Sequence, residues 1–195
     1  MQPDEIRRRW SLAKGTYVLY LGRIVPEKRV DLLLEAYRML ETDIRLVIAG
    51  AASDTVEYER RISQLAAEDN RVIMTGFVSG RTLEELYSNA FCYVLPSDVE
   101  GMPLSLLEAM SYGRCCVTSD IPECADVLAD AGLTFERGNG EALRNTLAGL
   151  LANRNRVDSL GAKALERVSG NYDWDTVVMR TLDLYRDNDN VQGGR

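Results

Sequence analysis

The residues best able to do chemistry in this sequence lie in two short stretches, each of which follows an apolar run. One stretch carries two cations, Arg23 and Lys28, after the run Tyr17–Leu21. The other carries two carboxylates, Glu100 and Glu108. Arginine and lysine together suit a diphosphate, because arginine offers a planar fork of donors and lysine a compact charge. Acids beside such an anion site indicate a ligand that has hydroxyl groups as well as phosphates.

The second stretch lies between a predicted strand and a predicted helix. The apolar run Cys92–Leu95 ends at Pro96 as a buried strand would, and Pro103 then opens an apolar, periodic stretch at the first position of a helix. A strand that leads through a short loop into a helix aims backbone N–H groups and the positive end of the helix dipole at one point, which suits a phosphate. Because the residues around Glu108 are apolar, we expect its carboxylate to need a partner, either a ligand or a cation.

Apolar, β-rich runs alternate with segments of helical periodicity along most of the chain. The predicted strands are 17–21, 44–50, 72–74, 92–95, 115–118 and 133–135, and the predicted helices are 30–40, 57–67, 83–89, one from 103, and 123–128. Strands that lack a polar face and are separated by helices indicate a parallel sheet covered on both sides. The predicted fold is therefore a doubly wound, parallel six-stranded α/β sheet with extra C-terminal helices, the last of them over Thr176–Tyr185.

Such a sheet places the two chemical stretches side by side. In the strand order 3-2-1-4-5-6 the order reverses between the first and fourth strands, and ligands bind in the crevice beyond the carboxyl ends of those strands. The topology thus brings Arg23 and Lys28 opposite Gly101 and the helix that begins at Pro103. Two cations and a helix N-terminus then face one crevice, which predicts a diphosphate site.

Composition excludes several other classes of protein. The 195 residues carry a formal net charge of −7, which argues against a general nucleic-acid or acidic-membrane surface. No apolar stretch approaches the roughly 20 residues that span a bilayer, and the N-terminus has no apolar signal region, so we expect a cytoplasmic protein. The sequence contains no histidine and no C-x-x-C spacing, so neither a zinc site nor a Cys/His nucleophile is expected. We interpret the four cysteines as reduced core residues: Cys92, Cys115, Cys116 and Cys124.

One folded domain is predicted, over residues 17–186. A polar segment, 1–16, precedes it, and a polar, glycine-rich tail, 187–195, is expected to be disordered. The chain shows no internal repeat and no Pro/Ser-rich linker, so no boundary is expected inside the domain.

Other phosphate-binding folds fit the first loop poorly. A nicotinamide-binding fingerprint needs G-x-G-x-x-G, and the segment that starts at Gly22 lacks the second and third glycines. The P-loop pattern G-x-x-x-x-G-K-[ST] is absent from the sequence. A receiver-type α/β switch needs an acidic cluster at the end of the first strand, where this chain has Gly22 and Arg23.

Two motifs carry a resemblance to a known family. G-R-I-V-P-E-K follows the first strand, and E-G-M-P-L-S-L-L-E-A-M follows the fourth. Together they resemble the Rossmann-like, donor-binding C-terminal half of retaining GT-B glycosyltransferases of family 4 (glycosyl transferases group 1), whose signature is the E-x7-E pair. The match in strand and helix order runs from Tyr17 to Tyr185. One departure is Arg29, which stands where family members commonly follow the lysine with glycine.

The resemblance implies a role for each matching residue. Arg23 and Lys28 would bind the donor diphosphate, Glu100 would contact the transferred sugar, and Glu108 would accept hydrogen bonds from the ribose. The nucleotide base would lie near the loop after the third strand. The implied catalytic residues are Arg23, Lys28 and Glu100, and the implied donor-binding residues are Gly22, Phe77, Val78, Gly101, Met102, Pro103, Leu104 and Glu108. No metal or other cofactor is implied, because the cations and the helix dipole neutralise the diphosphate.

The resemblance also implies a function for the whole chain. It would be the donor-binding domain of an enzyme that transfers a hexose from a nucleoside diphosphate sugar to an acceptor hydroxyl with retention. The acceptor-binding N-terminal domain would lie outside this chain, so the isolated domain would transfer little, and peripheral membrane association of the full-length enzyme stays open. The alternative is a non-catalytic nucleotide-binding or scaffold module that retains the fold.

Overall fold

The computed structural model describes residues 1–51, 56–172 and 178–179. Within these residues six strands form: β1 (Tyr17–Leu21), β2 (Arg45–Ala49), β3 (Val72–Gly76), β4 (Cys92–Leu95), β5 (Cys115–Ser119) and β6 (Leu133–Phe135). The helices of the same residues are α1 (Asp4–Trp10), α2 (Val30–Arg38), α3 (Val56–Ala67), α4 (Gly80–Asn89), α5 (Leu104–Ser111), α6 (Pro122–Leu128), α7 (Gly140–Leu151) and α8 (Arg154–Asn171). A short 3-10 turn, Pro26–Lys28, lies between β1 and α2.

The six strands form one parallel sheet in the order β3-β2-β1-β4-β5-β6, which confirms the predicted fold class. All residues of β4 and β5 are buried, as are Tyr17–Tyr20 of β1. Because successive side chains of a strand point to opposite faces, burial of every position means that both faces of the sheet are covered. The carboxyl ends of β1 and β4 therefore open side by side at the predicted crevice.

A backbone contact fixes the chain where β1 and β2 end. The Gly22 amide donates to the Ala49 carbonyl at 3.0 Å. Gly50 has a φ of +146°, and a Cβ added there would lie 1.8 Å from the Gly22 carbonyl oxygen. Only glycine allows the two segments to approach this closely, so the loop that follows β1 leaves the sheet from a rigid position.

The N-terminal segment packs onto the domain through a buried carboxylate. The side chain of Glu85, on α4, is fully buried and accepts hydrogen bonds from the backbone amides of Glu5 and Ile6, at 2.7 and 3.2 Å. These bonds satisfy amides at the start of α1 that have no intrahelical partner. Ile6 and Leu12 are themselves fully buried, so part of the segment 1–16 contributes to the core.

The structure corrects two predicted helix starts. Pro103 is not the first residue of a helix: α5 begins at Leu104, and Pro103 precedes it with a ψ of 72°, outside the helical range. Helix α4 begins at Gly80 rather than at Leu83, because its first residues lack the apolar spacing on which the prediction rested. All four cysteines are free and buried, as predicted, and burial raises the pKa of the Cys115 and Cys124 thiols to about 12.

Some predictions concern residues that the structure leaves out. The closing helix Thr176–Tyr185 lies outside the described residues except for 178–179, which are helical. The tail 187–195 lies outside them altogether. The proposed domain limits therefore stay a prediction.

Candidate functional site

The loops after β1 and β4 meet at the carboxyl edge of the sheet, as the topology predicts. The amide of Asp98 donates to the Glu27 carbonyl at 2.8 Å, which joins the two loops through their backbones. Beside this bond, Lys28 Nζ lies 2.5 Å from Glu100 Oε1. The two side chains are only 15% and 6% exposed, so this ion pair is largely withdrawn from water.

Two serines support the Glu100 carboxylate. The Ser97 hydroxyl donates to Glu100 Oε1 at 2.7 Å, and the Ser119 hydroxyl donates to the Ser97 carbonyl. Both serines are fully buried. Glu100 is therefore held by a lysine and a hydroxyl on the same oxygen, Oε1. Sequence reasoning missed both serines, although their position at the ends of two neighbouring strands is a usable signal.

Arg29 binds the two loops from a strained backbone position. Its φ of 49° lies in the left-handed region that favours glycine, which gives a physical reason for the glycine that family members commonly have at this position. Its guanidinium contacts Asp98 at 3.0 Å and Asp31 at 3.4 Å. The hydrogen bond to Asp98 raises the pKa of Arg29. The side chain thus supplies contacts that glycine could not, and sequence reasoning did not foresee them.

Arg23 lies apart from the Lys28–Glu100 pair. Its side chain is 63% exposed and its only ion pair among the described residues is a long one, 3.8 Å to Glu27. The buried Tyr20 hydroxyl donates to the Arg23 carbonyl at 2.7 Å, which holds the backbone at this point. A Cβ added at the preceding Gly22 would lie 3.1 Å from that hydroxyl. The backbone of Arg23 is therefore fixed, while its guanidinium can reach into solvent.

Glu108 lies on an exposed face of α5, contrary to expectation. Its apolar neighbours suggested that little of the helix surface would be polar, but Leu104, four residues earlier on the same face, is itself 62% exposed. Glu108 Oε2 accepts a hydrogen bond from the Tyr87 hydroxyl at 2.8 Å. The Tyr87 ring stacks on Tyr112, with ring centroids 5.4 Å apart. The partner of the carboxylate is therefore a hydroxyl group rather than a cation.

A second tyrosine ties the start of α5 to the sheet. The hydroxyl of Tyr93, a fully buried residue of β4, donates to Ser105 Oγ at 2.8 Å and lies 3.2 Å from the Leu21 carbonyl. This contact links the first turn of α5 to the ends of β1 and β4. The N-terminus of α5 consequently faces the crevice between those strands.

The remaining predicted site residues lie at the same edge of the sheet. Gly101, Met102 and Leu104 are exposed, and Pro103 is buried beside them. Phe77 is 79% exposed and Val78 is half-buried, on the loop after β3. The structure thus brings Lys28 and Glu100 together and leaves the others around them.

Neither a metal cluster nor a membrane span is seen in the part of the chain that the structure describes. Among those residues no group of three or more Cys, Asp or Glu side chains is arranged to hold a metal ion. No helix formed by them is long and apolar enough to cross a membrane. Whether the site works without a metal stays a prediction.

Comparison with known proteins identifies a family. The family model described as "Glycosyl transferases group 1" matches residues 2–167. The O-antigen chain mannosyltransferase B of Escherichia coli is 26% identical over 185 residues, which cover 93% of this chain and 48% of the relative. The chain spans about half the length of the curated relatives it matches.

Solved structures share the fold. Sucrose-phosphate synthase from Thermosynechococcus elongatus is 26% identical, with a TM-score of 0.84 over 96% of this chain and 49% of its own. HepE of Anabaena, solved in complex with UDP and glucose, is 17% identical, with a TM-score of 0.86 over 95% of this chain and 52% of its own. The sheet and its helices therefore have the arrangement found in glycosyltransferases of the GT-B fold.

Proposed function

The chain belongs to the glycosyl transferases group 1 family, and on that premise we propose that it is the donor-binding domain of a retaining hexosyltransferase. The donor would be a nucleoside diphosphate sugar and the acceptor a hydroxyl group. The observation that carries the proposal is the Lys28–Glu100 ion pair, which sits in the crevice between β1 and β4. Ligands of doubly wound sheets bind at this place.

Lys28 and Arg23 have complementary tasks in the proposed site. Lys28 is held in position by Glu100, at 2.5 Å, and an ammonium group has further N–H donors for a phosphate oxygen. Arg23, which is 63% exposed, can turn its guanidinium onto the same diphosphate. As the bond from sugar to phosphate breaks, negative charge grows on the leaving diphosphate. Both cations and the N-terminal end of the α5 dipole stabilise that charge.

Glu100 is placed to orient the transferred sugar. Its hydrogen bonds from Lys28 and Ser97 are both made by Oε1, which leaves Oε2 as an acceptor for a sugar hydroxyl. In a retaining transfer of this kind the acceptor hydroxyl attacks the anomeric carbon on the face that the diphosphate leaves. A sugar held by Glu100 next to the diphosphate would present that carbon in a fixed orientation.

Glu108 and the loop after β3 would bind the nucleoside. Glu108 is exposed on α5 and oriented by Tyr87, so it can accept hydrogen bonds from the two ribose hydroxyls. The exposed Phe77 and the half-buried Val78 would contact the base, and the backbone at Gly101, Met102 and Leu104 would bind phosphate or sugar oxygens. Because the cations serve the diphosphate, the proposed reaction uses no metal.

The relatives support this reading of the ligand. The relative from Escherichia coli is named a mannosyltransferase, so the group it transfers is a hexose. HepE, which shares the fold, was solved with UDP and glucose. Since the chain spans about half of such relatives, we propose that a separate N-terminal domain binds the acceptor. We also propose that the enzyme is cytoplasmic, because no apolar stretch of this sequence approaches the roughly 20 residues that span a bilayer.

Calorimetric titration of this chain with UDP, GDP, ADP and their sugar conjugates tests the proposal. We expect one nucleoside diphosphate to bind and Arg23→Ala to weaken it about tenfold, because a charge-assisted contact is lost. Arg60→Ala is the matched control, since Arg60 is also exposed but lies on α3, away from the crevice. Equal affinity in the Arg23→Ala, Arg60→Ala and unaltered proteins would refute the site. Binding of free nucleotide without any binding of nucleotide sugar would instead favour the non-catalytic module.

A further inference from the structure

A small polar pocket lies at the opposite, amino edge of the sheet. It has a volume of about 170 Å³ and is lined where the chain enters β1, β4 and β5 and where α8 begins. Its charged lining residues are three cations and one carboxylate: Lys14, Arg114, Arg154 and Asp158. The chain as a whole has a formal charge of −7, so this excess of positive charge is local. Among the described residues none of the three cations has a carboxylate within ion-pair distance.

Arg154 is held in place by contacts with an aromatic ring and with a glycine. Its guanidinium carbon lies 5.6 Å from the centroid of the Phe91 ring. It also lies against Gly15, where an added Cβ would lie 2.6 Å from Nη2 and 2.9 Å from Nη1. A glycine at position 15 therefore gives the guanidinium room that any other residue would fill. The cation is positioned without the help of a counterion.

Arg114 directs part of its guanidinium toward the pocket. Its Nε donates to the Tyr112 carbonyl at 3.0 Å and its Nη1 to the Ala90 carbonyl at 3.1 Å. These bonds are to neutral carbonyl groups, and the carboxylate of the same pocket, Asp158, acts on the charge only from beyond ion-pair distance, where it raises the pKa of Arg114. Burial lowers the pKa of Arg114, and the charge of Arg154 lowers it further. A bound anion would relieve both effects.

The start of α8 adds a further positive contribution. Asn153 caps the helix by accepting from the Arg156 amide at 3.0 Å. The first turn holds Arg154 and Arg156 and no acidic residue. Cations at this end oppose the helix dipole, and acids are the usual occupants. The arrangement is unfavourable for the helix alone and favourable for an anion beside it.

We propose that this amino-edge pocket binds a small oxyanion of the phosphate type, such as inorganic phosphate or a phosphate monoester. Its volume is well below the roughly 300 Å³ at which pockets for larger organic ligands begin, so the ligand is a small anion or a phosphate head group. The site is separate from the donor crevice because the two lie at opposite ends of the same parallel strands. The inference does not depend on the proposed function.

Nuclear magnetic resonance titration of this chain with inorganic phosphate tests the proposal at residue level. Binding in the pocket shifts the amide resonances of Gly15 and Gly113, whereas binding in the donor crevice shifts those of Gly22 and Gly101. We expect Lys14→Gln and Arg154→Gln each to weaken the first set of shifts about tenfold, because each removes one charge-assisted contact. Arg60→Gln changes the same charge on α3 and should leave the affinity unaltered.

A vesicle arm separates the two sources of a phosphate group. Sedimentation with phosphatidate vesicles that is lost in Lys14→Gln and Arg154→Gln would identify a lipid head group, and phosphate shifts without such sedimentation would identify a free anion. The proposal is overturned if neither phosphate nor vesicles bind, or if binding survives both substitutions unchanged. Shifts confined to Gly22 and Gly101 would likewise overturn it, while supporting the donor crevice.

Discussion

Lys28 and Arg29 at the carboxyl edge of the sheet are paired with carboxylates, whereas the cations that line the amino-edge pocket are not paired with any carboxylate that the structure describes. At the carboxyl edge Lys28 is paired with Glu100 at 2.5 Å, and Arg29 with Asp98 at 3.0 Å. At the amino edge Arg114 and Arg154 face a pocket in which no described carboxylate pairs with them. A ligand at the carboxyl edge must compete with a protein carboxylate, so that edge favours a ligand that can also satisfy Glu100 with hydroxyl groups. In the amino-edge pocket a ligand need not displace a carboxylate from Arg114 or Arg154, so a simple anion can bind there.

The close approaches at Gly50 and at Gly15 differ in what the glycine meets. At the carboxyl edge the close approach is between two backbone segments, Gly22 and Gly50. At the amino edge Gly15 approaches the end of a long side chain, Arg154. Backbone atoms can move much less than the guanidinium at the end of an arginine side chain. The approach at Gly50 should therefore be the more rigid of these two, although the amino edge also has an approach between backbones, because a Cβ added at Gly161 would lie 2.3 Å from the Gly113 carbonyl oxygen.

Gly50→Ala should have the largest effect of the changes considered. The new Cβ would lie 1.8 Å from the Gly22 carbonyl oxygen, at a φ of +146°, so backbone must move. We expect the free energy of unfolding to fall by more than about 3 kcal/mol. Gly15→Ala is the matched change at the amino edge, and it should cost only about 1–2 kcal/mol, for its left-handed φ of +71°. Urea denaturation measures both. Equal losses would show that the surroundings of Gly50 and Gly15 do not differ in rigidity.

Much of the fold could be predicted because its signals are local. The strands β1, β4 and β6 lie where their apolar runs predict, and the sheet order follows from the alternation of strands and helices. The Lys28–Glu100 contact itself was beyond sequence reasoning, because it depends on the left-handed backbone of Arg29 and on the buried Ser97. The spacing of apolar residues predicts which side chains are buried, but it does not predict the backbone conformation of a polar loop.

The amino-edge pocket could not be predicted at all. Arg114 and Arg154 are separated by 40 positions and come together only because α8 packs against β5. The prediction that little of the α5 surface around Glu108 would be polar was wrong for a related reason. Its neighbours are apolar, but Leu104 is exposed, so composition did not reveal which face of α5 is buried. Both cases depend on tertiary packing rather than on local pattern.

Lys28→Ala tests whether pairing stabilises the carboxyl edge. Removal of the lysine leaves the Glu100 carboxylate, whose side chain is 6% exposed, without its cation. We expect a loss of about 3 kcal/mol in the free energy of unfolding. Arg23→Ala, on the same loop, should change it by less than about 0.5 kcal/mol, because the Arg23 side chain is 63% exposed.

Denaturation of both proteins, with the Lys28→Ala/Glu100→Gln double variant alongside, measures this difference. The double variant should recover part of the loss, because it removes the stranded charge as well. If Lys28→Ala is no less stable than Arg23→Ala, the pair contributes nothing and the contrast between the two edges disappears.

Asp69→Asn tests the ion pair of Arg71, a cation at the amino edge that does have a carboxylate partner. Asp69 Oδ2 lies 2.6 Å from Arg71 Nη2, and this hydrogen bond holds the pKa of Asp69 below its usual 3.8. The ionised carboxylate therefore stabilises the fold at and above the ordinary pKa, and the stabilisation is lost as pH falls through the lowered folded value. We expect Asp69→Asn to cost about 1–2 kcal/mol at pH 7 and progressively less below about pH 3.8.

Urea denaturation from pH 7 down to pH 3 checks the pH dependence. Asp43→Asn, at an exposed position nearby, is the control and should cost less than about 0.5 kcal/mol. A penalty for Asp69→Asn that does not shrink with falling pH would mean that the pairing with Arg71 is not its cause. Arg71 would then not be an example of a stabilising pair to compare with Arg114 and Arg154, which have no partner among the described carboxylates.

Tyr87→Phe should have the smallest effect, because the group that loses its hydrogen-bond donor, the Glu108 carboxylate, belongs to an exposed residue. The change removes the hydroxyl that donates to Glu108 at 2.8 Å but keeps the ring that stacks on Tyr112. Water can replace the hydroxyl at the exposed carboxylate, so we expect a loss of at most about 1 kcal/mol in stability. Nucleotide affinity should fall about threefold, because Glu108 is then less well oriented toward the ribose.

Calorimetric titration with the nucleoside diphosphate that binds, beside Glu108→Ala and Tyr112→Phe, decides what the hydroxyl does. If Tyr87 only orients the carboxylate, Tyr87→Phe weakens binding less than Glu108→Ala, and the double variant Tyr87→Phe/Glu108→Ala is no weaker than Glu108→Ala alone. Tyr112→Phe keeps the stack and should bind normally. Losses that simply add would mean that the two residues act independently. In that case the hydrogen bond from Tyr87 would not be what orients the Glu108 carboxylate toward the ribose.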